Sequence, residues 1–110
     1  MTDLEAVRLC AEAMGISVVE DGPQSEPPEH WLMETGVGEW QEYDPLSNAE
    51  QCLALVERLN ISINRGGEAT DSPWWKASIA YPSRAFKSDF SLRRAIVHCV
   101  AKAQAAKAAK

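Results

Sequence analysis

The cysteine and histidine side chains, which can bind a metal ion or act as nucleophile and base, are Cys10, His30, Cys52, His98 and Cys99. Zinc sites usually contain cysteine or histidine pairs at short spacings such as C-x₂-C or H-x₃-H, and this sequence contains no such pair. His98 and Cys99 are adjacent, so their side chains point in different directions on a helix. The sequence therefore predicts neither a metal site nor a cofactor.

Nucleophilic catalysis needs a base beside the nucleophile and a third group that orients the base. His30 falls in a polar segment, and His98 is predicted on a solvated helix face with Arg94 and Lys102. Gly66-Gly67 is not followed by the Lys-Ser/Thr pair of a phosphate-binding loop. These patterns predict that the protein is not an enzyme. The three cysteines are predicted to be buried, reduced thiols, because free cysteine behaves as a small hydrophobic residue.

The adjacent residues Trp74 and Trp75 have two interpretations, and both remain open. Consecutive strand residues face opposite sides, so a sheet between two helical layers would bury both rings. Alternatively, one ring is exposed and stacks on a base or a partner, while nearby basic residues neutralise a phosphate. The ligand-binding residues of this alternative are Arg65, Trp74, Trp75, Lys76 and Arg84.

Charge is divided unevenly along the chain. Residues 1–60 contain two Lys or Arg and thirteen Asp or Glu, whereas residues 61–110 contain nine and three. Such a division indicates a surface for a partner or for self-association. Direct binding of nucleic acid is not favoured, because the whole chain has a net charge of −5 and would need a segregated basic patch.

Hydrophobic periodicity predicts three helices. The first begins with a capping box at residues 2–5 and ends at Gly15, since glycine adopts the left-handed conformation readily. The second follows a capping box at residues 47–50 and ends at Asn60. Its predicted buried face consists of Ala49, Cys52, Leu53, Val56 and Leu59.

The last helix and the longest loop carry opposite charges. The helix has an apolar stripe between residues 92 and 103, with Ser88 and Asp89 as predicted caps, and ends in a basic Ala/Lys segment at 102–110. Residues 20–30 are acidic and rich in proline, which is typical of a loop.

Short β-branched or alternating segments predict strands at 16–19, 39–43, 61–63 and 74–81. Residues 31–33 have two interpretations, a further brief strand and a hydrophobic anchor. The resulting order is α-β-(β)-β-α-β-β-α. Helices with one-sided apolar faces and mostly antiparallel strands predict a single layered α+β domain over residues 1–110, in which three helices pack on the sheet.

The length of the chain, its apolar runs and its first ten residues predict a small intracellular protein. At 110 residues the chain has the length of one domain. No apolar run approaches the roughly 18 residues of a membrane span, so no membrane contact is predicted. The first ten residues lack the basic and apolar regions of a signal peptide, which predicts a cytoplasmic location.

Three segments resemble small bacteriophage and prophage proteins with the phage ABA (α-β-α) sandwich domain. They are the Trp40…Asp44-Pro45-Leu46 lead-in, the helix-strand unit Ala49…Leu53…Val56…Leu59-Asn60-Ile61, and the closing Arg93-Arg94-Ala95-Ile96…Ala101. The resemblance implies α-β-α layering and a phage origin. It implies no reaction and no catalytic residues.

The acidic half has two interpretations, which are solvation of the surface and an acidic face that binds a basic host protein in place of nucleic acid. The resemblance to phage proteins favours the second, a non-enzymatic accessory protein that inhibits a host defence or nucleic-acid-handling system. Its predicted partner-binding residues are Glu26, Glu29, Trp31, Glu34, Glu39, Trp40, Glu42 and Tyr43. The alternatives are a small homo-oligomeric nucleotide-binding module and a phage structural or assembly protein.

Overall fold

Three helices and six strands make up the residues that the computed structural model describes, which are 1–21, 30–36, 38–66, 74–80, 84–89 and 91–108. In chain order they are α1 (Asp3–Ala13), β1 (Val18–Asp21), β2 (His30–Gly36), β3 (Glu39–Glu42), α2 (Ala49–Leu59), β4 (Ser62–Gly66), β5 (Trp74–Ile79), β6 (Ala85–Asp89) and α3 (Leu92–Ala108). The predicted α+β class is confirmed, although the sequence does not predict β6.

The strands form two antiparallel sheets. β1, β2 and β3 pair in chain order as the N-terminal sheet, and β4, β5 and β6 pair in the same way as the C-terminal sheet. Every pairing joins consecutive strands. The registers fix which side chains share a face, because successive residues of a strand point to opposite faces.

The first and last helices connect the two sheets. α1 packs against α3, while α3 also packs on β5 and β6 and α1 contacts β2. Ala77, Ile79 and Ala85 are buried, and the thiol of Cys99 on α3 donates to the carbonyl of Ala85 at 3.6 Å. α3 therefore covers one face of the C-terminal sheet. In the N-terminal sheet, Val18, Trp31 and Met33 pack in or against the core and so mark its covered face. We call the opposite face of each sheet its outer face.

Several predicted helix ends are confirmed. The hydroxyl of Thr2 accepts a hydrogen bond from the amide of Glu5 at 3.1 Å, which caps α1. Gly15 has φ +73°, and Asn60 ends α2 with φ +52°. Both positions require the left-handed backbone that glycine and asparagine tolerate best.

Two helices begin later than predicted. The N-cap of α2 is Asn48, whose side-chain oxygen accepts from the amide of Gln51 at 3.1 Å. α3 begins after Ser91, whose hydroxyl accepts from the amide of Arg94 at 3.4 Å. Asp89 supports this start because its carboxylate accepts from the Ser91 amide at 2.9 Å. The prediction of Ser88 as a helix cap is wrong, because β6 extends through this residue.

The buried face of α2 differs from the predicted one. Leu55 is fully buried and Cys52 nearly so, whereas Leu53 is 55% exposed. Leu53 instead borders an apolar groove of about 220 Å³. The groove is lined by Ala49, Cys52, Leu53, Val56, Ile63, Leu92, Arg93 and Ile96.

Candidate functional site

The outer face of the N-terminal sheet joins an exposed tryptophan to carboxylates. Strand pairing places Trp40 of β3 opposite Glu34 of β2, and Glu42 opposite Leu32, which in turn pairs with Val19 of β1. Because directly paired residues share a face, these five side chains project from one side of the sheet. We call Val19, Leu32, Glu34, Trp40 and Glu42 the acidic face.

Trp40 is the most prominent aromatic group of the acidic face. Its side chain is 51% exposed, although tryptophan is usually well buried in folded proteins. Glu34 lies across the strand pair from it, and Glu42 lies two residues along the same strand. A carboxylate oxygen of Glu34 accepts a hydrogen bond from the amide of Gly38 at 3.3 Å, which helps to hold Glu34 beside the ring.

The end of β3 is fixed to the start of α2 by one side chain. The Gln51 amide nitrogen donates to the carbonyl of Glu42 at 3.0 Å, and its oxygen accepts from the amide of Asp44 at 2.7 Å. Asp44 also accepts from the amide of Leu46 at 3.1 Å, in a local turn. These bonds hold the strand that carries Trp40 against the helix.

Two predicted partner-binding residues belong to the core. Trp31 is 9% exposed and Tyr43 is 3% exposed, so neither ring is available as a surface anchor. The indole nitrogen of Trp31 donates to the carbonyl of Leu4 at 2.8 Å, which ties β2 to α1. The hydroxyl of Tyr43 is buried without a hydrogen-bond partner, and burial raises its pKa above the ordinary range.

The remaining predicted residues of this set divide into two groups. Glu39 is exposed, but it pairs with Gly36 and is adjacent to Trp40, so it projects from the other side of the strand. Glu26 and Glu29 lie outside the described residues. The structure therefore brings together Glu34, Trp40 and Glu42 from the predicted set.

The outer face of the C-terminal sheet has the opposite charge. Pairing places Lys76 of β5 on the same face as Trp74, and Phe86 of β6 opposite Ser78 on that face. Arg84, Lys76 and Phe86 border one cleft of about 270 Å³. Lys102 belongs to α3 on the covered side of this sheet, but its ammonium group also lies close to the ring of Phe86. We call the outer-face residues and this lysine together the basic face, and its members are Trp74, Lys76, Arg84, Phe86 and Lys102.

Phe86 lies close to two ammonium groups. The Nζ atom of Lys76 is 4.9 Å from the ring centroid and that of Lys102 is 5.2 Å from it. Both distances are within the range of cation–π attraction. The Phe86 side chain is nevertheless 57% exposed, so part of its surface faces solvent. Sequence reasoning missed Phe86 and Lys102, because they meet only through β6.

Trp74 lies over a glycine of the neighbouring strand. It pairs with Gly66, and a Cβ atom at that position would collide with the six-membered ring of Trp74. The ring therefore covers the backbone of β4 while 39% of the side chain remains exposed. The interpretation in which both adjacent tryptophans are buried is wrong for Trp74.

The alternative ligand-binding residues do not share one surface. Trp75 is half-buried and packs against the core, on the face opposite to Trp74. Arg65 pairs with Trp75 across the strands, and its guanidinium carbon is 5.6 Å from the ring centroid. Trp74, Lys76 and Arg84 thus belong to the basic face, whereas Arg65 and Trp75 do not.

A cluster of charged groups joins α1 to α3. His98 Nε2 is 2.8 Å from a carboxylate oxygen of Asp3, and Arg94 binds the same carboxylate and also Asp89. The hydrogen bond with His98, aided by the charge of Arg94, holds the pKa of Asp3 below its ordinary value of 3.8. His98 is only 11% exposed, so the prediction of a solvated histidine is wrong.

The three cysteines are free and buried, as predicted. Burial raises the pKa of Cys99 to about 11 and raises the pKa values of Cys10 and Cys52 as well. These thiols are protonated at neutral pH, and the thiolate is the reactive form of cysteine. Cys10 is further engaged as a donor to the carbonyl of Val97 at 3.3 Å.

No protein-family model and no curated protein matches this chain. Within the described residues, no group of three or more His, Cys, Asp or Glu side chains is placed to hold a metal ion. The helices in that part of the chain include none that is long and apolar enough to cross a membrane. The exposed aromatic rings with charged neighbours on the two outer sheet faces make these faces the candidate functional surfaces.

Proposed function

We propose that this protein is a non-enzymatic, phage-encoded accessory protein that binds a basic host macromolecule through the acidic face. The observation that carries the proposal is the half-exposed ring of Trp40 with Glu34 and Glu42 beside it on the same face. Tryptophan residues at the centre of an interface commonly contribute most of the binding energy.

The chemistry of the acidic face fits an arginine or lysine of the partner. A guanidinium group that stacks on Trp40 gains cation–π attraction, and it also reaches a carboxylate beside the ring. Val19 and Leu32 extend the apolar part of the contact, since Val19 is 46% exposed and Leu32 is half-buried. The surface thus offers an apolar centre with an anionic margin, which favours a basic partner over an acidic one.

The hydrogen bonds that fix the end of β3 support the same proposal. The hydrogen bonds of Gln51 with Glu42 and Asp44 hold the end of this strand before any partner arrives. Binding costs less conformational entropy when the contact residues already have their bound geometry.

The resemblance to phage ABA sandwich proteins supports the biological setting of this proposal. A phage protein acts in the cytoplasm of the bacterial host, and host proteins that handle nucleic acid have basic surfaces for phosphates. Carboxylates on the acidic face would occupy such a surface in place of phosphates. Inhibition of a host defence or nucleic-acid-handling system is the expected consequence.

Capture of host proteins by the tagged full-length chain, followed by mass spectrometry, tests this proposal. Glu34→Gln combined with Glu42→Gln should reduce capture of the principal basic partner by about tenfold or more, because like-sized neutral groups remove the charge complementarity. Trp40→Leu should reduce it by roughly thirtyfold, the effect of a hot-spot residue.

A matched pair of substitutions separates the acidic face from net charge. Glu5→Gln with Glu57→Gln changes the net charge equally at two exposed helix positions outside the acidic face, and capture should persist. Phe86→Leu is the corresponding control for Trp40→Leu. Capture that is unchanged by the acidic-face substitutions, or reduced equally by the control pair, would contradict the proposal.

A further inference from the structure

The basic face offers two aromatic side chains on an open sheet surface. Trp74 and Phe86 project from the same outer face and are 39% and 57% exposed. Trp74 is fixed in position because its ring covers Gly66. Aromatic rings on a sheet surface are stacking platforms for unpaired bases, since every base has a π-face.

Positive charge is concentrated around one of these rings. The ammonium groups of Lys76 and Lys102 lie 4.9 and 5.2 Å from the centroid of Phe86, so they are separated by no more than the sum of these distances. Arg84 borders the same cleft, and the described residues that line this cleft include no carboxylate. These three cationic groups give the cleft a positive potential that attracts an anion.

This combination of rings and charges favours a single-stranded polyanion with aromatic bases. Trp74 pairs at one end of β5, whereas Phe86 lies opposite Ser78, four residues along that strand. Four residues of an extended strand span roughly 13 Å. A mononucleotide has one base and does not stack on both rings at once. Duplex DNA or RNA keeps its bases paired, so it does not offer them to either ring.

We propose that the basic face binds single-stranded nucleic acid. Bases stack on Trp74 and Phe86, and Lys76, Arg84 and Lys102 neutralise the phosphates between and beside them. The segregated basic patch that an acidic chain needs for such binding is present on this face. The proposal is independent of the acidic face, which lies on the other sheet.

Fluorescence anisotropy of a labelled oligothymidylate of about a dozen nucleotides, titrated with the full-length chain, tests this inference. Binding should be measurable at about 50 mM salt and should weaken toward about 200 mM. Three neutralised phosphates predict that the logarithm of the association constant falls with the logarithm of salt concentration with a slope of about −2. Thymidine monophosphate and a duplex of the same length should bind far more weakly.

Substitutions assign the binding to individual residues. Phe86→Leu should weaken binding by about tenfold or more through loss of stacking, whereas Phe86→Tyr should retain it. Lys102→Gln should reduce the salt slope by about 0.7, the share of one phosphate on a single strand. Lys107→Gln is the matched control, since it removes the same charge from α3 away from the basic face. Trp40→Leu should also leave binding unchanged.

Circular dichroism and thermal melting of each variant identify any loss of folding. The inference is overturned if the oligonucleotide does not bind at low salt, or if Lys107→Gln and Lys102→Gln have equal effects. Equal binding of the monophosphate overturns it as well. Light scattering that shows a second copy of the chain on this face, released by Phe86→Leu, assigns the face to self-association instead.

Discussion

Trp40 on the acidic face and Phe86 on the basic face are both more than half exposed, and both project from the outer face of a three-stranded antiparallel sheet. Their neighbours differ in sign. Glu34 and Glu42 flank Trp40, whereas the ammonium groups of Lys76 and Lys102 approach Phe86. The same local architecture therefore presents two surfaces with opposite electrostatic preferences.

In the two proposals made above, the backbone plan does not decide the class of partner. Each sheet supplies an exposed face and an aromatic ring, and these two features suit a protein or a base equally well. The charges beside the ring make the distinction, because complementary potentials raise association rates and exclude like-charged partners. Fold alone would therefore be a poor guide to function here.

Reversing the charge of the acidic face should have the largest effect. Glu34→Lys with Glu42→Lys should reduce capture of a basic partner by at least about a hundredfold, since like charges across an interface cost several kcal/mol. The same variant should bind the oligothymidylate more tightly than the wild type, because Trp40 then lies between two ammonium groups. Pull-down and fluorescence anisotropy measure the two effects.

Glu5→Lys with Glu57→Lys is the control for that reversal, because it makes the same change in net charge outside the acidic face. If the control binds the oligonucleotide as tightly as the reversed face, net charge and not the position of Trp40 explains the gain. The charges beside Trp40 would then not be what excludes nucleic acid from the acidic face.

Gly66→Ala should have an intermediate effect that is confined to the basic face. The new methyl group would collide with the ring of Trp74, which must move away from β4. We expect oligonucleotide binding to weaken by about tenfold, the effect of one lost stacking contact. Capture of a basic protein should not change. Unchanged oligonucleotide binding in a folded variant would show that Trp74 is not part of the binding surface.

Asp3→Asn should have the smallest effect and should alter neither face. In the folded protein the pKa of Asp3 lies below its ordinary value of 3.8, so its charged form stabilises the fold above that value. This stabilisation is lost as the pH falls through the lowered pKa. The variant should melt at a lower temperature than the wild type at pH 7, and the difference should disappear in acid. If the difference in melting temperature between the two proteins stayed the same from pH 7 into acid, the charged form of Asp3 would not be the source of the stabilisation.

The sequence predicts the fold class and most helix ends because these depend on local patterns. Capping by Thr2 and the left-handed ends at Gly15 and Asn60 follow from residues next to one another in the chain. The buried face of α2 does not follow in this way. It is set by tertiary packing, which buries Leu55 in the core and leaves Leu53 exposed at the groove beside α3, although both are leucines.

The candidate surfaces are predictable only in part, for a similar reason. Alternation along β3 places Trp40 and Glu42 on one side, and this is visible in the sequence. Burial of Trp31 comes from packing between distant segments, in which its indole also donates a hydrogen bond to Leu4 of α1. The basic face depends on β6, whose polar composition conceals a strand and therefore conceals the meeting of Phe86 with Lys102.

The packing of α1 against α3 also has a consequence for the order of folding. The strands of each sheet pair with their neighbours in sequence, so each hairpin closes a short loop. The helix pair joins residues near the two ends of the chain, including Asp3 with His98. Contacts at such separation form slowly, because loop closure loses chain entropy before any contact is gained. During synthesis α1 emerges from the ribosome before α3, so the part of α1 that packs on α3 stays uncovered until α3 has been made. We therefore expect docking of α3 to be a late step of folding.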